Sequence, residues 1–127
     1  MKLRMIGCSH HETPLEIREQ VAFTSEQVTQ VLALLKERYP EGEIVLINTC
    51  NRVEIYCGSH EHDKIATGKD LEAFLSDFHN IPLRTVQDHF RVREDRLAVE
   101  HLFSVVSSID SLVVGESQIP AQVRDAY

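Results

Sequence analysis

The stretch IVLINTCNRVEIYC, residues 44–57, predicts two β-strands joined by a polar turn. Residues 44–47 are apolar and mostly β-branched, and this run is too short for a helix, so it indicates a buried strand. In residues 52–57, polar or aromatic side chains alternate with apolar ones, which is the period of a strand with one face in the core. The link between the runs is too short for a crossover helix, so we expect antiparallel neighbours. Cys50 then lies in a turn at the edge of the sheet.

The segments on either side of this hairpin predict further strands and two amphipathic helices. Residues 3–8 indicate a first strand, and residues 86–92 indicate a weaker one because polar side chains outnumber apolar ones there. Thr24 opens a T-x-x-Q capping box before a helix that ends near Pro40, and a second helix ends at Asn80. Apolar residues at helical spacing mark one face of each helix: Val28, Val31, Leu32 and Leu35, then Leu71, Phe74, Leu75 and Phe78.

The resulting order, βαββαβ, is the split arrangement of ferredoxin-like folds, in which both helices lie on one face of an antiparallel sheet. We therefore predict an α+β fold, with two additional C-terminal helices at residues 95–107 and 115–127. We expect Ser117 to cap the second of these. Its apolar stripe continues to Tyr127, the last residue, so we expect the chain to be a fragment of a longer protein.

Length and composition indicate one ordinary globular domain. The chain has 127 residues, enough to bury a core without metal or disulfide bonds. Its 43% hydrophobic and 26% charged residues exclude intrinsic disorder. No apolar run approaches the roughly 20 residues that span a bilayer, and the N-terminus lacks the pattern of a signal peptide. We therefore expect no membrane association and a cytoplasmic location.

Charge and cysteine usage narrow the function classes further. The formal net charge of −7 argues against a module that holds nucleic acid by broad neutralisation of phosphates, although it leaves local contact open. Three cysteines without C-x-x-C spacing fit a reducing compartment. Cys8, His10, His11 and Cys50 could be imagined as a zinc set, but their spacing matches no common site, so we expect no bound metal.

Cys50 is the candidate nucleophile. It lies in a polar turn, and the cation of Arg52, two positions further on, would favour the reactive thiolate. The alternative is a small buried hydrophobe, as free cysteines often are, and that is the interpretation we give to Cys8 and Cys57. His101 lies on the apolar side of the third helix, where it is either a core histidine or a general acid or base.

Three stretches resemble the glutamyl-tRNA reductase family. Residues 48–56, NTCNRVEIY, are similar to its STCNRTEIY-type signature, and residues 110–122, DSLVVGESQIPAQ, to its DSLVLGEPQILGQ signature. Residues 7–19, GCSHHETPLEIRE, are similar to its GxNHxTAPxxxRE start. The chain departs from these signatures at Asn48, Val53, Ser117, Pro120 and Ala121, where the family commonly has Ser, Thr, Pro, Leu and Gly.

The resemblance implies an activity and an architecture. Members reduce glutamyl-tRNA with NADPH to glutamate-1-semialdehyde, the first step of tetrapyrrole (porphyrin) biosynthesis by the five-carbon route. They combine a catalytic domain with an NADPH-binding domain and a helical dimerisation domain, and this chain resembles only the first. Because it has no G-x-G-x-x-G, we expect NADPH to be bound by a domain absent from the chain. The implied partners are glutamyl-tRNA, a second subunit and an aminomutase that receives the product.

The resemblance also assigns roles to residues. Cys50 becomes the nucleophile that forms a thioester with the glutamyl group, His101 a second catalytic residue, and Arg52 a ligand of the substrate carboxylate. The other implied substrate-binding residues are Thr49, Asn51, Ser111, Glu116, Ser117, Gln118 and Gln122. Two alternatives from other classes stay open: a non-catalytic ferredoxin-like binding or regulatory module, and a redox-sensing thiol.

Overall fold

The computed structural model describes residues 1–9, 11–60 and 65–112, with side chains described as far as residue 107. This part of the chain forms a sheet and five helices. The elements are, in chain order, β1 (Lys2–Ser9), α1 (Leu15–Val21), α2 (Ser25–Arg38), β2 (Glu43–Asn48), β3 (Arg52–Ser59), α3 (Gly68–His79), α4 (Leu83–His89), β4 (Arg91–Glu94) and α5 (Asp95–Leu112).

The sheet has the strand order β2-β3-β1-β4, and every neighbouring pair is antiparallel. The hairpin predicted around Cys50 is therefore confirmed, with Asn48 opposite Val53 at its closed end. β3 lies between β1 and β2, so the connection through α1 and α2 passes over it. The α+β class with an antiparallel sheet is confirmed.

One face of the sheet carries the larger core. Every second residue of β1 and β3 points to this face, as the period of a strand requires, and packs against buried residues of α1 to α4. The core-facing residues include Ile6 and Cys8 of β1, Val53, Ile55 and Cys57 of β3, Val21 of α1, Val31 and Leu35 of α2, Leu71 and Leu75 of α3, and Val86 of α4.

The opposite face is covered by α5. A second cluster joins the other residues of the strands to one side of this helix: Leu3, Met5, Ile47, Tyr56, Ala98, Leu102 and Val105. Residues of β3 that alternate away from the larger core therefore face a helix and not solvent. This arrangement decides the environment of Arg52 and Glu54.

Two short helices were not predicted. α1 and α4 each follow a proline, Pro14 and Pro82, and each carries one buried residue, Val21 and Val86. A seven-residue helix with one core contact leaves no periodicity to detect. The predicted strand at 86–92 was therefore wrong for its first half, because the chain is helical to His89 and pairs with β1 only from Arg91.

The predicted helix ends agree better with the structure. Thr24 and Gln27 form the expected capping box, and α3 ends at Asn80, which has the left-handed φ of 54° typical of a helix C-cap. α5 continues to Leu112, five residues beyond the expected end at 107. The helix predicted at 115–127 lies outside the described residues. No helix in the described ranges is long and apolar enough to cross a membrane.

Candidate functional site

The turn between β2 and β3 presents Cys50. The Thr49 amide donates to the Arg52 carbonyl at 2.9 Å, which closes the hairpin. The Thr49 hydroxyl accepts from the amides of Asn51 and Arg52, both at 3.2 Å. These hydrogen bonds give the turn a defined shape, as short hydroxyl side chains often do in turns. Cys50 is exposed at its tip.

Two side chains anchor this turn to the α1 region. The Asn48 side chain donates to the Phe23 carbonyl at 2.8 Å and accepts from the Phe23 amide at 3.1 Å. Arg18 of α1 donates to the Cys50 carbonyl at 3.1 Å. Asn48 is one of the positions where the chain departs from the family signature, and a serine there is too short to make both Phe23 contacts.

The three thiols have different environments. Cys8 and Cys57 are buried in the larger core, and Cys50 is exposed. Desolvation raises the pKa of the Cys8 thiol to about 11 and that of the Cys57 thiol to about 12. The interpretation of Cys8 and Cys57 as strand residues is confirmed, and the alternative of a buried Cys50 is wrong. Cys50 is the thiol that a large substrate can reach.

A buried polar cluster lies on the α5 side of the sheet. It centres on Glu54, whose side chain is only 2% exposed. One carboxylate oxygen accepts the Tyr56 hydroxyl at 2.8 Å. The other contacts His101 Nε2 at 2.6 Å and an Arg52 guanidinium nitrogen at 3.3 Å. The cluster thus joins the strand that follows Cys50 to the candidate histidine on α5.

Gly7 leaves room for this carboxylate. It lies opposite Glu54 in the β1–β3 register. A Cβ atom at position 7 would approach Glu54 Cγ to 2.7 Å, Met5 Cε to 2.9 Å and the Val53 carbonyl oxygen to 3.0 Å. Each of these distances is shorter than ordinary carbon contacts. The absence of a side chain at Gly7 is therefore a condition for placing Glu54 here.

Arg52 lies between two clefts. A cleft of about 230 Å³ adjoins the Cys50 turn, and one of about 320 Å³ adjoins His101. The residues lining the first are Leu15, Arg18, Glu19, Ala22, Thr49, Cys50, Arg52 and Val53. Those lining the second are Ser9, His11, Glu12, Arg52, His101, Ser104 and Val105. Arg52 lines both clefts.

The described part of the chain brings together half of the expected site. Thr49, Cys50, Asn51 and Arg52 share one turn, and His101 is joined to Arg52 through Glu54. Ser111 lies near the end of α5, and its side chain is outside the described residues, as are Glu116, Ser117, Gln118 and Gln122 altogether.

Sequence reasoning missed Glu54. Its strand alternation with Val53 and Ile55 put it on the face away from the larger core, which is usually solvent. Two features of the sequence could have indicated its burial. Glu54 points to the same face of β3 as Tyr56, two residues further on, and the predicted third helix carries a histidine on its apolar side.

The imagined zinc set does not assemble in the part of the chain that the structure describes. Cys8 is buried in the larger core, and Cys50 is exposed at the turn. His10 is not among the described residues. Within the described ranges, no group of three or more His, Cys, Asp or Glu side chains could hold a metal ion.

Comparison with known proteins identifies the family. Residues 6–127 match the family described as "Glutamyl-tRNAGlu reductase, N-terminal domain". The chain belongs to the glutamyl-tRNA reductase family. The family expected from the three signatures is thus confirmed, and the turn and cluster described above lie within the matched region.

Full-length glutamyl-tRNA reductases match the whole chain. Those of Rhodopirellula baltica and Thermodesulfovibrio yellowstonii are both 45% identical to it, over 127 and 132 residues respectively. Each alignment covers 100% of this chain but only 30% and 31% of the relative. The chain therefore spans about a third of the length of these glutamyl-tRNA reductases.

A solved glutamyl-tRNA reductase has a similar structure. The enzyme from Methanopyrus kandleri superposes with a TM-score of 0.63 at 31% identity. The superposition covers 98% of this chain and 27% of the Methanopyrus chain. Sequence and structure therefore agree that the chain corresponds to the N-terminal domain of a glutamyl-tRNA reductase.

Proposed function

We propose that this chain is the substrate-binding, thioester-forming domain of a glutamyl-tRNA reductase. The complete enzyme reduces glutamyl-tRNA to glutamate-1-semialdehyde with NADPH, the first step of tetrapyrrole biosynthesis. The observation that carries the proposal is the position of Cys50, an exposed thiol at the tip of a pinned turn beside a cleft. The resemblance to the family supports it as well, because the signature in residues 48–56 includes this turn.

The proposed step is acyl transfer to Cys50. The thiolate Sγ attacks the carbonyl carbon of the glutamyl ester, forming an S–C bond, and the bond from that carbon to the terminal ribose oxygen of tRNA breaks. The proton given up by the thiol accounts for the hydroxyl group of the released tRNA. A thioester accepts a hydride far more readily than a carboxylate does, so this step prepares the group for reduction.

Arg52 is the proposed ligand of the substrate carboxylate. A guanidinium has five N–H donors, and its planar fork matches a carboxylate in two places. The bond to Glu54 uses one nitrogen, and the residue lines the cleft beside Cys50. Glu54 therefore restrains Arg52, so that a carboxylate meets donors already oriented. The ion pair of Arg52 with Glu54 is largely shielded from solvent, with the two side chains 13% and 2% exposed.

His101 is proposed to move a proton during the reaction. A carboxylate can only accept hydrogen bonds, so the 2.6 Å contact with Glu54 assigns the proton on this side to Nε2. In the neutral ring, Nδ1 is then the acceptor. His101 lines the second cleft together with Arg52, so the imidazole lies beside the residue proposed to bind the substrate carboxylate.

The described elements do not fit NADPH. Dinucleotides bind at a glycine-rich turn between a strand and a helix of a parallel sheet, where amides at the helix N-terminus hold the pyrophosphate. Here all neighbouring strands are antiparallel, and α1, the helix after β1, begins behind Pro14. We therefore propose that the cofactor is held by a separate domain outside this chain, and we derive no step through it.

Two further parts of the proposal concern assembly. The complete enzyme is proposed to be a homodimer that uses a helical dimerisation domain absent from this chain. The aldehyde product is reactive, so direct handover to an aminomutase would protect it. These two proposals are independent of the role proposed for Cys50.

The test is trapping of the acyl-enzyme in the full-length protein. We expect label from carbon-14 glutamyl-tRNA to become bound to the wild-type protein through a bond that neutral hydroxylamine cleaves. Peptide mapping should place the label at residue 50. Cys50→Ala should bind no label while its circular dichroism stays that of wild type, and Cys8 and Cys57 serve as internal controls.

Two outcomes would contradict the proposal. Label on another residue would remove Cys50 from the role of nucleophile. Tight binding of glutamyl-tRNA without any acyl transfer would favour the non-catalytic binding module.

A further inference from the structure

Arg18 of α1 links two backbone carbonyls beside the proposed nucleophile. Its Nε donates to the Thr13 carbonyl at 3.1 Å, and its Nη1 donates to the Cys50 carbonyl, also at 3.1 Å. The side chain lines the same cleft as Cys50 and Thr49. These contacts connect the β1–α1 loop to the tip of the β2–β3 turn. Arg18 and Cys50 are 32 positions apart in the chain.

Thr13 is a fixed point for this connection. It is 3% exposed, its amide donates to the Ser9 carbonyl at 3.0 Å, and its hydroxyl donates to the His89 carbonyl at 3.3 Å. The Thr13 carbonyl is therefore held by β1 on one side and by α4 on the other. A guanidinium that binds it is restrained as well, and this restraint passes to the Cys50 carbonyl.

The contact of Arg18 restrains the tip of the β2–β3 turn at the Cys50 carbonyl. Asn48 anchors the start of the turn to Phe23, and the Thr49 hydroxyl binds the amides that follow Cys50. The Cys50 carbonyl lies between these anchors, in an exposed residue. The bond from Arg18 Nη1 restrains this carbonyl.

We propose that Arg18 is a positioning residue for acyl transfer: by holding the Cys50 carbonyl it sets the direction in which Cys50 presents its sulfur to the cleft. The inference rests on the proposed function. Attack on an ester carbonyl requires a narrow range of approach, and a misplacement of about 1 Å can slow such a step about a hundredfold. Arg18 needs no contact with the substrate for this effect.

The test compares Arg18→Gln and Arg18→Lys in the full-length reductase, with Arg96→Gln as the matched control. Arg96 is an exposed arginine on α5 whose contact is with Glu100 one helical turn away. Rapid-quench mixing with labelled glutamyl-tRNA measures the rate of acyl transfer to Cys50. Filter binding measures the Kd for glutamyl-tRNA, calorimetry the Tm, and iodoacetamide labelling the reactivity of Cys50 towards a small reagent.

We expect Arg18→Gln to slow acyl transfer by between about tenfold and a hundredfold, with the Kd changed less than about twofold. Iodoacetamide labelling should stay near the wild-type rate, since a small reagent needs no oriented approach. The acyl-transfer rate of Arg18→Lys should lie between those of wild type and Arg18→Gln, because an ammonium group is a single point of charge and cannot reproduce the two-point contact of a guanidinium. Arg96→Gln should resemble wild type in every measurement.

Three results would overturn the inference. Acyl transfer at the wild-type rate in Arg18→Gln would show that the contact does not matter for attack. Equal slowing of acyl transfer and of iodoacetamide labelling would indicate a change in the thiol itself. A loss that follows a large fall in Tm would indicate a purely structural role. If wild-type protein forms no thioester on Cys50, the proposed function fails instead, so the two failures are distinguishable.

Discussion

Glu54 Oε2 and His101 Nε2 lie 2.6 Å apart, although the two residues are 47 positions apart in the chain. The carboxylate lies on the sheet face that α5 covers, and the imidazole lies on the covering helix. Their contact fixes the orientation of the ring, and the bond to Arg52 extends the restraint to the strand that follows Cys50. One buried acid thus contacts both Arg52 and His101.

Glu54→Gln tests this relationship. The amide keeps the shape of the side chain but loses the charge that Arg52 and His101 bind, so we expect unfolding to become easier by about 1–3 kcal/mol. Turnover of the full-length enzyme should fall between about tenfold and a hundredfold because His101 loses its orientation. Urea unfolding and a semialdehyde assay measure the two effects. Glu100→Gln changes an exposed glutamate on α5 next to His101 and is the control, so equal effects of both changes would contradict the prediction.

Gly7→Ala tests the space beside the carboxylate. The added methyl group meets Glu54 Cγ at 2.7 Å and the Val53 carbonyl at 3.0 Å, and a backbone oxygen cannot easily move. We expect a loss of about 1–3 kcal/mol in the free energy of unfolding. Gly68→Ala is the control. The three atoms nearest to a Cβ at position 68 all belong to the Val92 side chain, the closest at 3.1 Å, and a side chain can shift where a backbone oxygen cannot. Chemical denaturation of the two variants should separate them, and indistinguishable midpoints would count against the crowding described here.

An alkylation series tests the accessibility of the thiols. Near neutral pH, we expect iodoacetamide to modify Cys50 at least about tenfold faster than Cys8 or Cys57, because thiolates react and burial raises the pKa of the other two. Mass spectrometry of tryptic peptides gives the three rates. In guanidinium chloride the rates should become similar. Slow and equal labelling of all three in the native protein would argue against a reactive Cys50.

Arg52→Lys separates two roles of the arginine. The lysine keeps the positive charge but loses the two-point contact with a carboxylate. We expect normal alkylation of Cys50 together with poor turnover of glutamyl-tRNA. Slow alkylation with poor turnover would point instead to activation of the thiol. Normal values for both would leave the residue only its ion pair with Glu54, and Arg96→Lys supplies the control for loss of a guanidinium.

The stability of the domain should fall in mild acid because of His79. Burial against Phe23 lowers the pKa of this histidine, and its Nε2 has no hydrogen-bond partner among the described residues. The unfolded state therefore binds the proton more readily, so the stability contribution is intact above about pH 6.5 and is lost as the pH falls below that value. Urea unfolding at about pH 7 and pH 5 measures the loss. His79→Phe should reduce the pH dependence, whereas the exposed His60→Gln should not.

The sequence was sufficient for elements whose pattern is local. Alternation in residues 52–57 predicted β3, the capping box at Thr24 predicted the start of α2, and the short link predicted the exposed turn of Cys50. Each of these depends on neighbours within a few positions. Such patterns are readable because their physical cause is local as well.

The features that escaped prediction depend on distant contacts. α1 and α4 are stabilised by one buried valine each, and a single contact leaves no period in the sequence. The burial of Glu54 requires α5, whose path across the second face of the sheet cannot be read from residues near position 54. The contact of Arg18 with Cys50 depends on α1, a helix that the sequence pattern did not predict. This contact could therefore not be anticipated either.

The register that places Gly7 opposite Glu54 has a consequence for evolution. The two positions share one volume and cannot change independently, because a side chain at position 7 would occupy the space of the acid at position 54. A lineage that acquires alanine or serine at the first position must shorten or redirect the second, and His101 and Arg52 then lose their common partner. Among descendants of a common ancestor, glycine at the one position and glutamate at the other should therefore be kept or lost together.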